Sequence, residues 1–168
     1  MKFNFIVSKN MSREDKRHLI EVCVTGICFR ETEKDIEVLI AKRTDKRELY
    51  PSKWECGGGQ VYAGENFEEA IKRQMADELG VMVNKMVIFG TYEIQTPQLE
   101  QKKIPGIIFV CFFDKYLNGK EPRINPKEFS EWKWQPIDSL SDIDFIEGIP
   151  EEIKTGWEFY NNCKSAFR

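Results

Sequence analysis

The stretch from Gly57 to Gly80 reads GGGQVYAGENFEEAIKRQMADELG, and two of its polar residues stand where a helix should be apolar. Asn66 with Glu69 three positions on has the spacing of a capping box, and Gly80 suits the left-handed residue that ends a helix. Stepping about 100° per residue between those caps gathers Phe67, Ala70, Ile71, Met75 and Leu79 on one arc. Gln74 and Glu78 fall inside that arc on either side of Phe67. Asp77 lies at its edge, and Glu68 lies on it within the first turn.

A carboxylate sheltered from water without a partner costs roughly several kcal/mol, so such groups pair or bind a metal. Arg73 alone cannot neutralise Glu65, Asp77 and Glu78. Two readings stand: an acidic helix end that reaches out to water, or a site for a hard divalent cation such as Mg²⁺. The glycines favour the second. Gly57, Gly58 and Gly59 follow Trp54 and let the backbone approach closely, and a glycine turn beside a carboxylate-bearing helix suits a metal-bound pyrophosphate.

Composition narrows the alternatives. The chain has 168 residues, a net charge of −3 and a single histidine, His18, set among charged residues. That balance gives no basic footprint for a nucleic-acid polymer, and one histidine excludes a multi-histidine zinc site. The five cysteines are Cys23, Cys28, Cys56, Cys111 and Cys163. They show no CxxC spacing, and their odd number reads as reduced thiols in a cytoplasm. Cys56, beside the glycines, has no evident base and reads as a packed thiol. No apolar run is long enough to span a membrane.

Around the helix the chain reads as strands. HLIEVCVTGICFR and DIEVLIAKR pair across a polar turn. NKMVIFGTYEIQ and IPGIIFVCFFDKY follow the helix, and EWKWQPI is a late short strand. A second helix is expected from Ile149 onward, with Pro150 in its first turn. Phe3, Phe5 and Val7 alternate as in an edge strand within an N-terminal segment, residues 1–18. One domain over 1–168, with a mixed sheet covered by helices, accounts for this order.

The stretch resembles the Nudix box, G-x5-E-x7-R-E-U-x-E-E-x-G-U with U aliphatic. Gly59, Glu65, Arg73, Glu78, Gly80 and Val81 occupy its positions in register across 59–81. Upstream, IAKRTDKRELYPSKWECGGG is similar to the strand, loop and Trp that lead into the box. Downstream, EFSEWKWQPIDSL is similar to the family's late acidic loop and aromatic strand. The resemblance implies an α/β fold, a Nudix-type α/β/α sandwich with a mixed central β-sheet. It also implies Mg²⁺- or Mn²⁺-dependent hydrolysis of a nucleoside diphosphate linked to another group, with water attacking phosphorus. Carried over by position, the Gly58 carbonyl, Asp77 and Glu78 are expected metal ligands. Glu65 is expected to support Arg73 and the metal waters, and Arg43 to touch phosphate. Gly58, Gly59 and Tyr62 are expected at the substrate.

The departures matter. Gln74 replaces the Glu of RE, and an amide takes no proton near neutral pH. Asp77 replaces a Glu and keeps its charge. The resemblance implies a base elsewhere, at Glu128, which is also a candidate metal ligand, or at Glu131, where relatives often carry an acidic residue facing the metals; a slow enzyme, or one using fewer metals, is a second outcome. The alternative is a protein that binds or senses a nucleotide with little or no hydrolysis. If the missing carboxylate limits turnover, Gln74→Glu should raise the rate. Tyr62, Tyr92 and Trp132 can stack a base, although core or rim packing explains such aromatics equally well. Gln95, Thr96 and Gln98 offer a polar loop, and Lys102 and Lys103 offer charge for phosphates. The expected partner is a small nucleoside diphosphate derivative, and the expected state is a monomer or homodimer.

Overall fold

The computed structural model describes residues 20–95, 103–117, 119–163 and 165. The expected strand at residues 3–7, His18, Thr96, Gln98 and Lys102 lie outside them. In chain order the elements are β1 (Cys23–Glu31), β2 (Ile36–Arg43), β3 (Trp54–Glu55), β4 (Gly57–Gln60), α1 (Phe67–Leu79), β5 (Val81–Ile94), β6 (Ile104–Tyr116), β7 (Phe129–Pro136) and α2 (Ile149–Cys163). A short 3₁₀ turn, Ile137–Ser139, follows β7.

The strands form one mixed sheet with the path β3-β2-β1-β6-β5. β1 and β6 run parallel, with Cys28 opposite Cys111, and β5 returns antiparallel to β6. On its other side β1 divides its partners. Its start, Cys23 to Gly26, pairs antiparallel with β4, and its end, Phe29 to Glu31, pairs with β2. β7 lies antiparallel along β2. The glycines are therefore a strand rather than the expected turn, because their lack of side chains lets β1 and α1 close on both sides of them.

Each face of the sheet carries a helix. Ala70, Ile71, Met75 and Leu79 of α1 are fully buried against Val24, Cys28, Leu39, Ala41, Val81 and Phe109. Such burial stabilises by about 1.5–3 kcal/mol per large aliphatic side chain. On the opposite face Ile153 and Tyr160 of α2 pack on Ile27, Phe29, Val38, Ile40 and Val110. Alternation along β2 sends Leu39, Ala41 and Arg43 to the α1 face and Val38, Ile40 and Lys42 to the α2 face. Phe67, expected at the centre of the apolar arc, is 40% exposed; the arc is filled by residues from Ala70 onward.

Both ends of α1 are closed. Asn66 accepts from the Glu69 N–H and Glu69 accepts from the Asn66 N–H, each at 2.9 Å. Gly80 adopts φ 66°, and its N–H donates to the Ala76 and Met75 carbonyls. The segment after β6 satisfies the next carbonyls along, because a helix end leaves them without partners of its own. Leu117, Arg123 and Asn125 N–H donate to Gly80, Leu79 and Glu78 at 2.9, 2.9 and 2.8 Å. Asn125 in turn accepts from the Glu128 and Phe129 N–H groups. The Glu128 loop is thereby fastened to the helix end that carries Glu78.

Candidate active site

Glu78 projects from the last turn of α1 toward β4, where the Gly58 N–H donates to its Oε2 at 3.4 Å. The approach depends on the glycines. A Cβ on Gly57 would sit 2.7 Å from Leu79, one on Gly58 2.3 Å from the Val24 carbonyl oxygen, and one on Gly59 2.4 Å from Gln74. Burial, followed by the nearby charge of Glu55, pushes the Glu78 carboxyl up to about 7. The Gly58 N–H, Arg47 and Arg43 pull it the other way without cancelling that rise.

Two residues that the sequence did not single out belong to this cluster. Glu55 of β3 lies opposite Ala41, and so on the α1 face. Its carboxylate is ion-paired with Arg43 Nη1, while Arg43 Nε donates to the Leu49 carbonyl at 2.9 Å. Burial raises the Glu55 carboxyl, and the Arg43 charge opposes the rise. Arg47, in the loop after β2, is ion-paired with Glu128. The Thr44 N–H donates to the Glu128 carbonyl at 3.0 Å and joins the two loops. Burial, then the like charge of Arg43, lowers the Arg47 pKa, while Glu55 and Glu78 support its charge. The hint in the sequence was Glu55, a charged residue between the apolar Trp54 and Cys56.

Gln74 has a different task. It is 6% exposed, and its Nε2 donates to the Gln60 carbonyl at 3.2 Å. Arg73 Nη2 donates to the same oxygen at 2.9 Å. The two side chains pin the end of β4 to the helix, which a carboxylate with no N–H cannot do. Arg73 also holds Glu65 through Nε at 2.5 Å and Nη2 at 2.8 Å. With the Tyr62 N–H added, that pairing lowers the Glu65 carboxyl to about 2. The exposed Tyr62 ring lies over the Arg73 guanidinium, 3.9 Å from ring centroid to Cζ.

Asp77 is exposed beside Glu78. Glu131 is not brought to the cluster. It registers with Lys42 in the β2–β7 pair and bonds Lys42 Nζ at 3.0 Å, on the α2 face of the sheet. Its expected place near the acidic helix end fails because strand alternation turns it away. Tyr92 is likewise held inward, bonded to the Thr25 hydroxyl at 2.9 Å with its ring packed over Gly106. Trp132 packs against the α1-side core. Cys56 is buried, and burial pushes its thiol far up, as suits a packed group.

A family model described as the NUDIX domain matches residues 20–154. The chain belongs to the Nudix family. It is 28% identical over 116 residues to the nucleoside triphosphatase NudI of Escherichia coli O139:H28 (strain E24377A / ETEC), which covers 67% of this chain and 82% of that protein. The fold is similar to a binary complex of the C. elegans Ap4A hydrolase, with TM-score 0.67 and 16% identity over 85% of this chain and 99% of that one. It is also similar to the NUDIX domain of Shewanella oneidensis NrtR complexed with ADP ribose, with TM-score 0.68 and 14% identity over 89% and 99% of the two chains. The protein is thus a Nudix-type hydrolase acting on diphosphate bonds.

Among the described residues no group of three His, Cys, Asp or Glu side chains stands close enough to hold a metal unaided. Mg²⁺ keeps several waters and takes one or two carboxylates plus substrate phosphate oxygens. Glu78, half-buried and only partly compensated, fits such an ion. Among the described residues no helix is long and apolar enough to cross a membrane.

Proposed function

We propose that this Nudix domain hydrolyses a nucleoside diphosphate linked to a further group, nucleoside triphosphates included, with Mg²⁺ or Mn²⁺ at Glu78. The observation that carries the reading is the Glu78 carboxylate, half-buried against the glycine strand with the Glu55 charge acting on it. Glu78 and the Gly58 carbonyl would hold the ion, with Asp77 and Glu65 reaching its waters. Such an ion supplies Lewis-acid stabilisation of charge on the phosphoryl oxygens.

The chain's own residues do the rest. Arg43 is fixed by Glu55 and by the Leu49 carbonyl, and would offer its remaining N–H groups to an incoming phosphate. Arg73 keeps Glu65 ionised and keeps the end of β4 in place. Gly58 and Gly59 leave room for the diphosphate, and Tyr62 offers a ring at the rim. Glu128, on the loop fastened to the end of α1, is the base that takes the proton from the attacking water; the pairing of Glu131 with Lys42 supports Glu128 over it. The buried thiols, free among the described residues, suit a cytoplasmic setting.

The test is Mg²⁺- or Mn²⁺-dependent release of phosphate or pyrophosphate from a panel of nucleoside triphosphates, sugar nucleotides, ADP-ribose and dinucleoside polyphosphates. Wild type should turn over at least one class, and Glu78→Gln should lower kcat by about 10³-fold or more. A wild type that binds nucleotides but releases nothing in either metal would leave a nucleotide-binding protein instead.

A further inference from the structure

Arg47 has no part in the function proposed above, yet it stands in the cleft with Glu128 and within the field of Glu78. Its loop is built to hold it there. The Arg47 and Ser52 N–H groups both donate to the Thr44 carbonyl, at 3.3 and 3.4 Å. Tyr50 and Ser52 adopt φ of 50° and 63°, a region that costs side-chain-bearing residues about 1 kcal/mol or more each. The two arginines of the cleft differ. Arg43 is 8% exposed and held through Nε and Nη1. The Arg47 side chain is 35% exposed and bonds Glu128 through Nη1.

The balance of charge in the cleft gives Arg47 its part. Once Glu78 ionises, as it must to hold a cation, Glu55, Glu78 and Glu128 outnumber Arg43 and Arg47 by one, so the cleft attracts a cation and repels a diphosphate. A divalent ion at Glu78 reverses both effects: it repels the Arg47 guanidinium and brings phosphate oxygens within its reach. A guanidinium fork matches two phosphate oxygens at once. We propose that Arg47 is an exchangeable counter-ion, which holds Glu128 before substrate binds and then passes to the substrate's diphosphate, releasing the Glu128 carboxylate to the attacking water. This rests on the hydrolase reading. No covalent bond to Arg47 forms or breaks; one ion pair is exchanged for another.

The test compares Arg47→Gln and Arg47→Lys with wild type in two binding measurements. Affinity for Mn²⁺ alone is read from the electron paramagnetic resonance of the free ion. Affinity for a methylene-bridged nucleoside diphosphate analogue is read with saturating Mn²⁺. Removing a competing cation should tighten Mn²⁺ binding in Arg47→Gln by about three- to tenfold, while the analogue binds about 10- to 100-fold more weakly. Arg47→Lys, which keeps the charge and loses the fork, should leave Mn²⁺ affinity near wild type and weaken the analogue. A static clasp for the Glu128 loop cannot produce opposite signs in one variant. If Arg47→Gln leaves both affinities unchanged, or moves both in the same direction, the inference is overturned. Should that variant fail to fold, equal analogue binding by Arg47→Lys and wild type overturns it. Absence of Mn²⁺ binding by wild type overturns the metal-dependent reading itself, which a failure confined to the arginine variants does not touch.

Discussion

Gln74 and Glu78 sit one turn apart on the same face of α1, and their neighbours give them opposite chemistry. Glu78 meets a backbone N–H and two arginine fields, whereas Gln74 meets a backbone carbonyl. Gln74→Glu therefore sets a carboxylate against the Gln60 oxygen and removes one of its two N–H donors, leaving that of Arg73. In EDTA the variant should be less stable than wild type by about 1–3 kcal/mol, measured by urea unfolding. It should also show no gain in turnover, because the carbonyl it faces needs a donor; a faster enzyme of wild-type stability would refute this. The helix spacing made Glu78, Arg73 and the oddity of Gln74 legible. What Gln74 bonds was not legible, since its partner lies 14 positions back on another element. Glu55 and Arg47 were hidden for the same reason: the Arg47–Glu128 pair spans 81 positions.

At the level of elements, the glycine run reads in sequence as a turn, and the fold makes it a strand clamped between two neighbours. The clamps differ in stiffness. A methyl on Gly57 meets the ends of Leu79 and Met75, which can rotate away. One on Gly58 meets the backbone of Val24 and Thr25 in the middle of the β1–β4 pairing, which cannot. Gly58→Ala should therefore reach or exceed the upper end of the roughly 1–3 kcal/mol typical of overpacking, with Gly57→Ala well below it. Thermal melts of the two variants in EDTA check the order, and a Gly57→Ala variant that melts lower would reverse it. Both helices and the longer strands were legible, because alternation, caps and apolar runs are local signals; the short β3 and β4 carry no such signal. The facing of Glu131 needed the β2–β7 register, which pairs positions far apart in the chain.

For the whole molecule, the carboxylates of the cleft and of the loop beside it pull pH-dependent stability in opposite directions. Glu78, raised from 4.5 to about 7, stays protonated in the fold where the unfolded chain has already ionised. Stability without metal therefore falls as pH rises through that window. Glu55 and Glu152, also raised by burial, add to the same trend. Glu65, lowered from 4.5 to about 2, contributes stability that is complete above 4.5 and lost as pH falls toward 2. The protein in EDTA should thus be most stable near about pH 4.5, with Glu78→Gln flattening the neutral limb by about 2–3 kcal/mol and Glu65→Gln flattening only the acid limb. Urea unfolding between pH 3 and 8 measures both limbs; a wild type that gains stability steadily from pH 5 to 8 would contradict the sign.

The loop after β6 reports on more than its own contacts. The amides of Leu117, Arg123 and Asn125 belong to that loop but are locked onto the carbonyl end of α1. Their protons can trade with deuterated solvent only when that helix terminus lets go. Deuterium uptake in this loop is thus a clock for the breathing of the catalytic cleft, and an ion gripping Glu78 should slow it at amides the ion never touches.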